Sequence, residues 1–254
     1  MTSARKVALV AGILYLVTFI SSIPAYFLQE PLLTNPDYLI GAGADTQVIL
    51  GTFLDLVTAF AGIGTAVALY SVVRRQHEGL ALGFVTTRVM EGAIIVVSAV
   101  ALLTAVSLRT DGATGAEAAS LTVIGQALVK VRDWTFLFGP GLMPVMNALL
   151  LGTLMYRSRL VPRIIPIAGL IGAPLLFSST IGMMFGVNDP QSAWTGIATV
   201  PIFFWELSIG LWMTFKGFRA DAPILATFEK ASGSTATPPS TPIQTVAATN
   251  AAAA

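Results

Sequence analysis

Four ionisable residues, Asp55, Arg88, Glu91 and Glu206, stand inside long apolar runs of this chain. An ion in hydrocarbon costs at least ~2.5–3.5 kcal/mol even on a lenient insertion scale, so such residues are candidate sites for a proton, an ion or a ligand. Arg88 and Glu91 are three positions apart and share one helix face. A guanidinium carries five donors in a fixed fork and suits two carboxylates at once. Glu206, from a distant run, offers the second. One base against three acids leaves a formal sum of −2, which makes protons one candidate cargo. Asn147 is the polar amide nearest in depth. The plainer role for all of these is to fix helix register, since a buried ion pair is weak evidence even for stability. For Asn147 alone, an interhelical hydrogen bond is the expected role. His77 reads as a solvated loop residue, and Trp205 and Trp212 as packing.

The runs that position these residues are long. The chain of 254 residues is 55% hydrophobic and 11% charged, with mean hydropathy +0.79, whereas a soluble domain is about 25% charged. A spanning helix needs ~20 apolar residues, and six runs qualify, at about 7–28, 48–73, 80–107, 134–156, 164–186 and 193–216. The first is too long for a cleavable signal core. The expected fold class is therefore all-α: a polytopic integral membrane protein with a six-helix transmembrane bundle over 1–219 and a cytoplasmic tail over 220–254. From 231 the tail is Ala, Thr, Pro and Ser and is expected to be disordered. Residues 112–131, with Ala118, Leu121, Ile124, Leu128 and Val131, suit one short amphipathic segment on the outer interface. If the N-terminus lies inside, the inner side holds ten bases (Arg5, Lys6, Arg74, Arg75, Arg157, Arg159, Arg163, Lys216, Arg219 and Lys230) and the outer side three (Arg109, Lys130 and Arg132). By the positive-inside rule both termini are expected in the cytoplasm, in a cell inner (plasma) membrane.

Depth follows from the helical rise. Counted from the inner ends, Arg88 lies ~12 Å deep, Asn147 ~13 Å, Glu206 ~15 Å and Glu91 ~16 Å, while Asp55 lies ~27 Å deep and so nearer the outer face. The first four are expected to form one layer near the midplane, with Asp55 apart. On the second span Gly51, Asp55, Thr58, Gly62 and Thr65 make a small, polar stripe of the kind that faces other helices. Thr195, Thr199, Glu206 and Gly210 repeat it on the sixth. Pro140, Pro144, Pro174 and Pro201 can kink their helices and open a cavity at that depth.

Several chemistries are excluded. Cysteine is absent and histidine occurs once, which removes disulfides, thiolate nucleophiles, iron–sulfur clusters, paired-histidine haem and HExxH zinc sites. No cofactor and no metal is expected. Net charge is +1 with no basic stripe, so nucleic acid is not an expected partner. The expected partners are the lipid bilayer, a lipid-like or small amphiphilic ligand, and a second copy or another membrane subunit.

The segment Gly152–Arg163 (GTLMYRSRLVPR), the Arg88-Val-Met-Glu91 step, and the run Trp205-Glu206 through Phe218 together resemble the bacterial multi-pass family called domain of unknown function 4386, over about residues 5–219. The resemblance implies a six-helix inner-membrane protein with Arg88, Glu91 and Glu206 at characteristic polar positions. It implies no substrate, cofactor or catalytic residue. Three readings follow: a binding or transport-like protein for a small amphiphile or protons; an accessory subunit with a register-fixing ion pair; and a lipid-modifying enzyme with Glu91 or Glu206 as general acid or base. The chain leans away from the enzyme, having neither a second histidine nor a metal motif. A solvent-connected cavity lined by Arg88 and Glu206 would favour binding or catalysis; a closed, fully paired cluster would favour the subunit.

Overall fold

The computed structural model describes residues 2–41 and 43–233, and every regular element in them is helical. The elements are α1 (Ser3–Thr34), α2 (Asp45–Val73), α3 (Glu78–Leu108), α4 (Gly115–Phe136), a π-helical turn (Leu137–Leu142), α5 (Met143–Ser158), α6 (Ile164–Met184), α7 (Ala193–Phe215) and α8 (Pro223–Gly233). Six helical runs are long and apolar enough to cross a membrane, α4, the π turn and α5 counting as one. The chain is a multi-pass protein by that measure.

The ends of these helices follow from local chemistry. Thr2 caps α1 by accepting the Arg5 N–H, and Ser192 caps α7 by accepting that of Thr195. His77 is exposed, as expected, and has a further role: its Nδ1 accepts the Leu80 N–H at 3.2 Å and caps α3. Gly186 ends α6 at a φ of +70°, a conformation that costs glycine little.

The helices are apolar on every side, and size rather than polarity sorts their faces. Bulky residues such as Ile20, Phe27, Phe60 and Val67 point outward. Small ones such as Ala8, Ala11, Ala66, Ala81 and Ala148 fill the interior. That is the pattern of helices that associate by close packing in lipid, where water gives no drive to bury Phe or Ile. Each span packs on its sequence neighbours: α1 on α2, α2 on α3, α3 on α5, α5 on α6 and α6 on α7. Finally α7 returns to α1, so the six spans form a closed ring. The closing seam is tight, since a Cβ built on Gly12 would fall 2.5 Å from the Thr214 backbone nitrogen.

The ring has two unlike ends. At the basal end Arg5 donates to the carbonyls of Met213 and Thr214 at 2.8 Å each, tying the start of α1 to the end of α7. Residues expected in the tail fold here: Ala222, Ile224, Leu225 and Phe228 of the α8 segment join the main core, and residues 231–233 continue that helix. The rest of the expected tail, from 234, lies outside the described residues. At the distal end Arg109 holds Asp45 and the Gly41 carbonyl, at 2.8 Å each.

The segment expected to lie separately over 112–131 is instead continuous with the fourth span. The run Gly115–Ser158 is 44 residues long, or ~66 Å against a ~30 Å hydrocarbon core. Its apolar stripe has a partner in the chain. Leu121 and Leu128 pack against Leu32, Tyr38, Leu39 and Leu102, while Ile124 and Val131 remain exposed.

Candidate functional site

Inside the ring, toward the distal end, lies a cavity of about 990 Å³. Its walls are mostly apolar, with Phe19, Ile23, Phe27, Phe136, Ile202 and Phe203 among the lining, while Asp55, Lys130, Arg132 and Asp133 also line it and it reaches the loop Asn188–Gln191. Its floor is the charged layer: Arg88, Glu91 and Glu206 all line it.

The floor begins with Arg88, whose side chain lies against Gly62 of α2. A Cβ there would make ordinary contact with it, at 3.9 Å. Arg88 Nη1 donates to Glu91 Oε2 at 3.0 Å, and Nη2 donates to Glu206 Oε1 at 2.9 Å and to the Tyr15 hydroxyl at 3.1 Å. One cation thus bridges α1, α3 and α7. Asn147 of α5 adds a fourth helix, donating from Nδ2 to Glu91 Oε2 at 2.9 Å while its Oδ1 accepts from Thr87 at 2.7 Å. Arg88, Glu91, Glu206 and Asn147 therefore meet in one network. Tyr15 of α1, whose hydroxyl accepts from the cation, was not among the candidates.

The network is not closed. Glu91 Oε1 and Glu206 Oε2 accept no hydrogen bond among the described residues, and neither is sealed from the cavity. The side chains keep 12% and 17% of their surface accessible, against 6% for Arg88. The groups offered to a visitor at the floor are therefore acceptors. With one base and two acids their formal sum is −1.

Asp55 stands apart from this layer, with partners that depth counting did not supply. Its Oδ2 accepts from Gln29 Nε2 at 2.5 Å, and Gln29 Oε1 in turn accepts from Arg132 Nη2 at 3.2 Å. Arg132, expected in an outer loop, is a buried residue of α4, 5% exposed, with its guanidinium 4.2 Å from the Phe136 ring centroid. Including it changes the interior formal sum from −2 to −1 (two bases against three acids). Helix periodicity held the signal: Ala118, Leu121, Gly125, Leu128 and Arg132 recur at three- and four-residue steps on one face.

Two other sequence patterns acquire partners. The stripe on α2 faces α1 and the cavity: Gly51 packs on Ala25 and Leu28, and Thr58 bonds Ser21 at 2.7 Å. Pro140 falls in the π turn, where proline leaves the helical ladder short of a donor. There the Gly141 carbonyl accepts from Thr180 of α6 at 3.2 Å, and Pro140, Gly141 and Pro144 line the cavity. Such π turns recur at functional sites. No group of three or more metal-ligating side chains occurs among the described residues.

The profile of one family, described as "Domain of unknown function (DUF4386)", matches residues 10–217. No curated protein and no solved structure matches the chain.

Proposed function

We propose that this chain, which belongs to the family Domain of unknown function (DUF4386), is a membrane-embedded binding protein for a small amphiphilic molecule. One observation carries the reading: a cavity of about 990 Å³ with mostly apolar walls ends on a floor of Arg88, Glu91 and Glu206. Its size is at the upper end of ligand pockets, ~300–1,000 Å³, and such pockets combine apolar walls with a few convergent polar groups. A cluster that only fixed register would have no use for reachable, unpaired carboxylate oxygens. Because those oxygens are acceptors with a net negative charge, the polar head they suit is a hydrogen-bond donor or a cation, such as an alkylammonium. The alkyl part then runs past Phe19, Ile23 and Phe203.

The basic residues support an orientation with both termini in the cytoplasm of a bacterial inner membrane. With Arg132 placed inside a helix, only Arg109 and Lys130 remain as bases at the distal end. In that orientation the cavity opens away from the cytoplasm. The same cation bridging three helices also supports a register-fixing role, which a binding role does not displace.

The test is titration of dodecylamine into the full-length protein in phosphatidylcholine nanodiscs, read by tryptophan fluorescence, with dodecanol as the uncharged control. Saturable binding, tighter for the amine and weakened about tenfold in Glu206→Gln, is the expected result, since charge-assisted hydrogen bonds are roughly twice as strong as neutral ones. Absence of saturable binding by either compound would refute the reading.

A further inference from the structure

The distal half of the cavity contains a second charged group whose arrangement the floor does not explain. Arg132 is 5% exposed and lines the cavity, yet Nη2 to Gln29 is the only hydrogen bond of its side chain among the described residues. Its Nε is buried without a partner. Its Nη1 has no partner either and is not sealed off. Five donors are thus served by one acceptor. An unfilled guanidinium at this depth is costly. The acid that might have filled it is near: Asp55 sits on the other side of the same glutamine. The Gln29 amide holds the two charges apart, taking the carboxylate on its nitrogen and the guanidinium on its oxygen. The Phe136 ring, its centroid 4.2 Å from the guanidinium carbon, supports the fork by a cation–π contact. A buried fork short of acceptors, with Nη1 still reachable from the cavity, is a site for a planar or tetrahedral oxyanion.

Position along the ring gives the spacing between this group and the floor. On α2, Asp55 is seven residues from Gly62, which packs on Arg88. On α1, Gln29 is fourteen residues from Tyr15, which bonds Arg88. At ~1.5 Å per residue these steps place the two charged layers roughly 10–20 Å apart along the bundle. Between them the cavity is lined by Thr18, Phe19, Ser22, Ile23 and Ile95, with no ionisable group among these.

We propose that Arg132 is an anion subsite, and that the cavity takes a two-ended amphiphile: a donor or cationic head at Glu91 and Glu206, an apolar middle, and a carboxylate or phosphate at Arg132. Gln29 positions the guanidinium. Lys130, which also lines the cavity, is already paired with Asp133 at 3.2 Å and is not the anchor. The proposal rests on the binding reading above, and the two fail separately.

The experiment compares dodecylamine with an ω-amino alkanoate of the same chain length, on the full-length protein in phosphatidylcholine nanodiscs. The added carboxylate is expected to tighten binding about tenfold, as one charge-assisted bidentate contact would. Arg132→Gln should abolish that gain while leaving dodecylamine affinity unchanged. Arg132→Lys, which keeps the charge without the fork, should retain part of it, and Lys130→Gln all of it. Equal affinities for the two compounds, or a gain that survives Arg132→Gln, would overturn the anion subsite and leave the binding reading intact. If neither compound binds, both proposals fail. Should Arg132→Gln not fold, the Arg132→Lys and Lys130→Gln pair still decides: a gain lost in Lys130→Gln, or undiminished in Arg132→Lys, overturns the assignment.

Discussion

A single guanidinium carries most of the interior electrostatics at the floor. Removing it leaves Glu91 and Glu206 facing each other with only Asn147 as a donor. Breaking one partner out of a buried ion cluster typically costs about 3–5 kcal/mol, because the remaining charge is left uncompensated. Arg88→Gln should therefore lower the thermal unfolding midpoint strongly. The double variant Arg88→Gln with Glu206→Gln should recover part of the loss, a non-additivity that a thermal-shift series would read. Tyr15→Phe removes one hydrogen bond to a charged group and should cost less, about 1.5–3 kcal/mol. At this scale the sequence was readable where charge interrupts hydrocarbon: Arg88, Glu91 and Glu206 stood out by type alone, and the helical rise set their common depth. Tyr15 and Gln29 did not stand out, since isolated hydroxyls and amides are ordinary in apolar helices. Arg132 was hidden by its neighbours, Lys130 and Asp133, which give the segment the polarity of a loop.

The helices meet through small residues, so their spacing is set by glycine as much as by charge. A Cβ on Gly169 of α6 would lie 2.7 Å from the Trp205 ring, next to Glu206. Trp205 is almost fully buried and has no free space to enter. Overpacking of this kind costs typically about 1–3 kcal/mol. Gly169→Ala should lower thermal stability and also shift Trp205 emission, whereas alanine at Gly196, where the space is open, should do neither. The apolar runs were legible from hydropathy, and five of the six coincide with one uninterrupted helix each, although α1 extends past its expected run at both ends. The exception, Gly115–Ser158, is the longest and among the least apolar, with hydropathy 1.5. Its first half buries an apolar stripe against Leu32, Tyr38 and Leu39 rather than in an interface. Both arrangements demand the same periodicity, so sequence alone does not separate them. The α8 segment was missed for a related reason: eleven residues are too few to stand out, and their apolar face is meaningful only against the basal end it covers.

For the molecule as a whole, orientation is the property on which access to the cavity depends. The absence of cysteine makes a direct measurement simple. Thr2→Cys at the basal end and Ala116→Cys at the distal end are both exposed positions. With the proposed topology, a membrane-impermeant maleimide should label Ala116→Cys in intact spheroplasts and Thr2→Cys only after lysis; the reverse pattern would turn the cavity toward the cytoplasm. The closure of the ring bears also on biosynthesis. Helices leave the ribosome in order, and each of the first five junctions joins neighbours that emerge one after the other. Arg88 is then already escorted by Glu91 from its own helix, so α3 can enter lipid with its charge locally balanced. Glu206 and the α1–α7 seam arrive only with the last span. Until that span is inserted, the chamber is an open trough rather than an enclosed space. A nascent chain stalled before α7 thus displays an acid–base pair to the bilayer, a feature by which membrane quality control could tell an unfinished protein from a complete one.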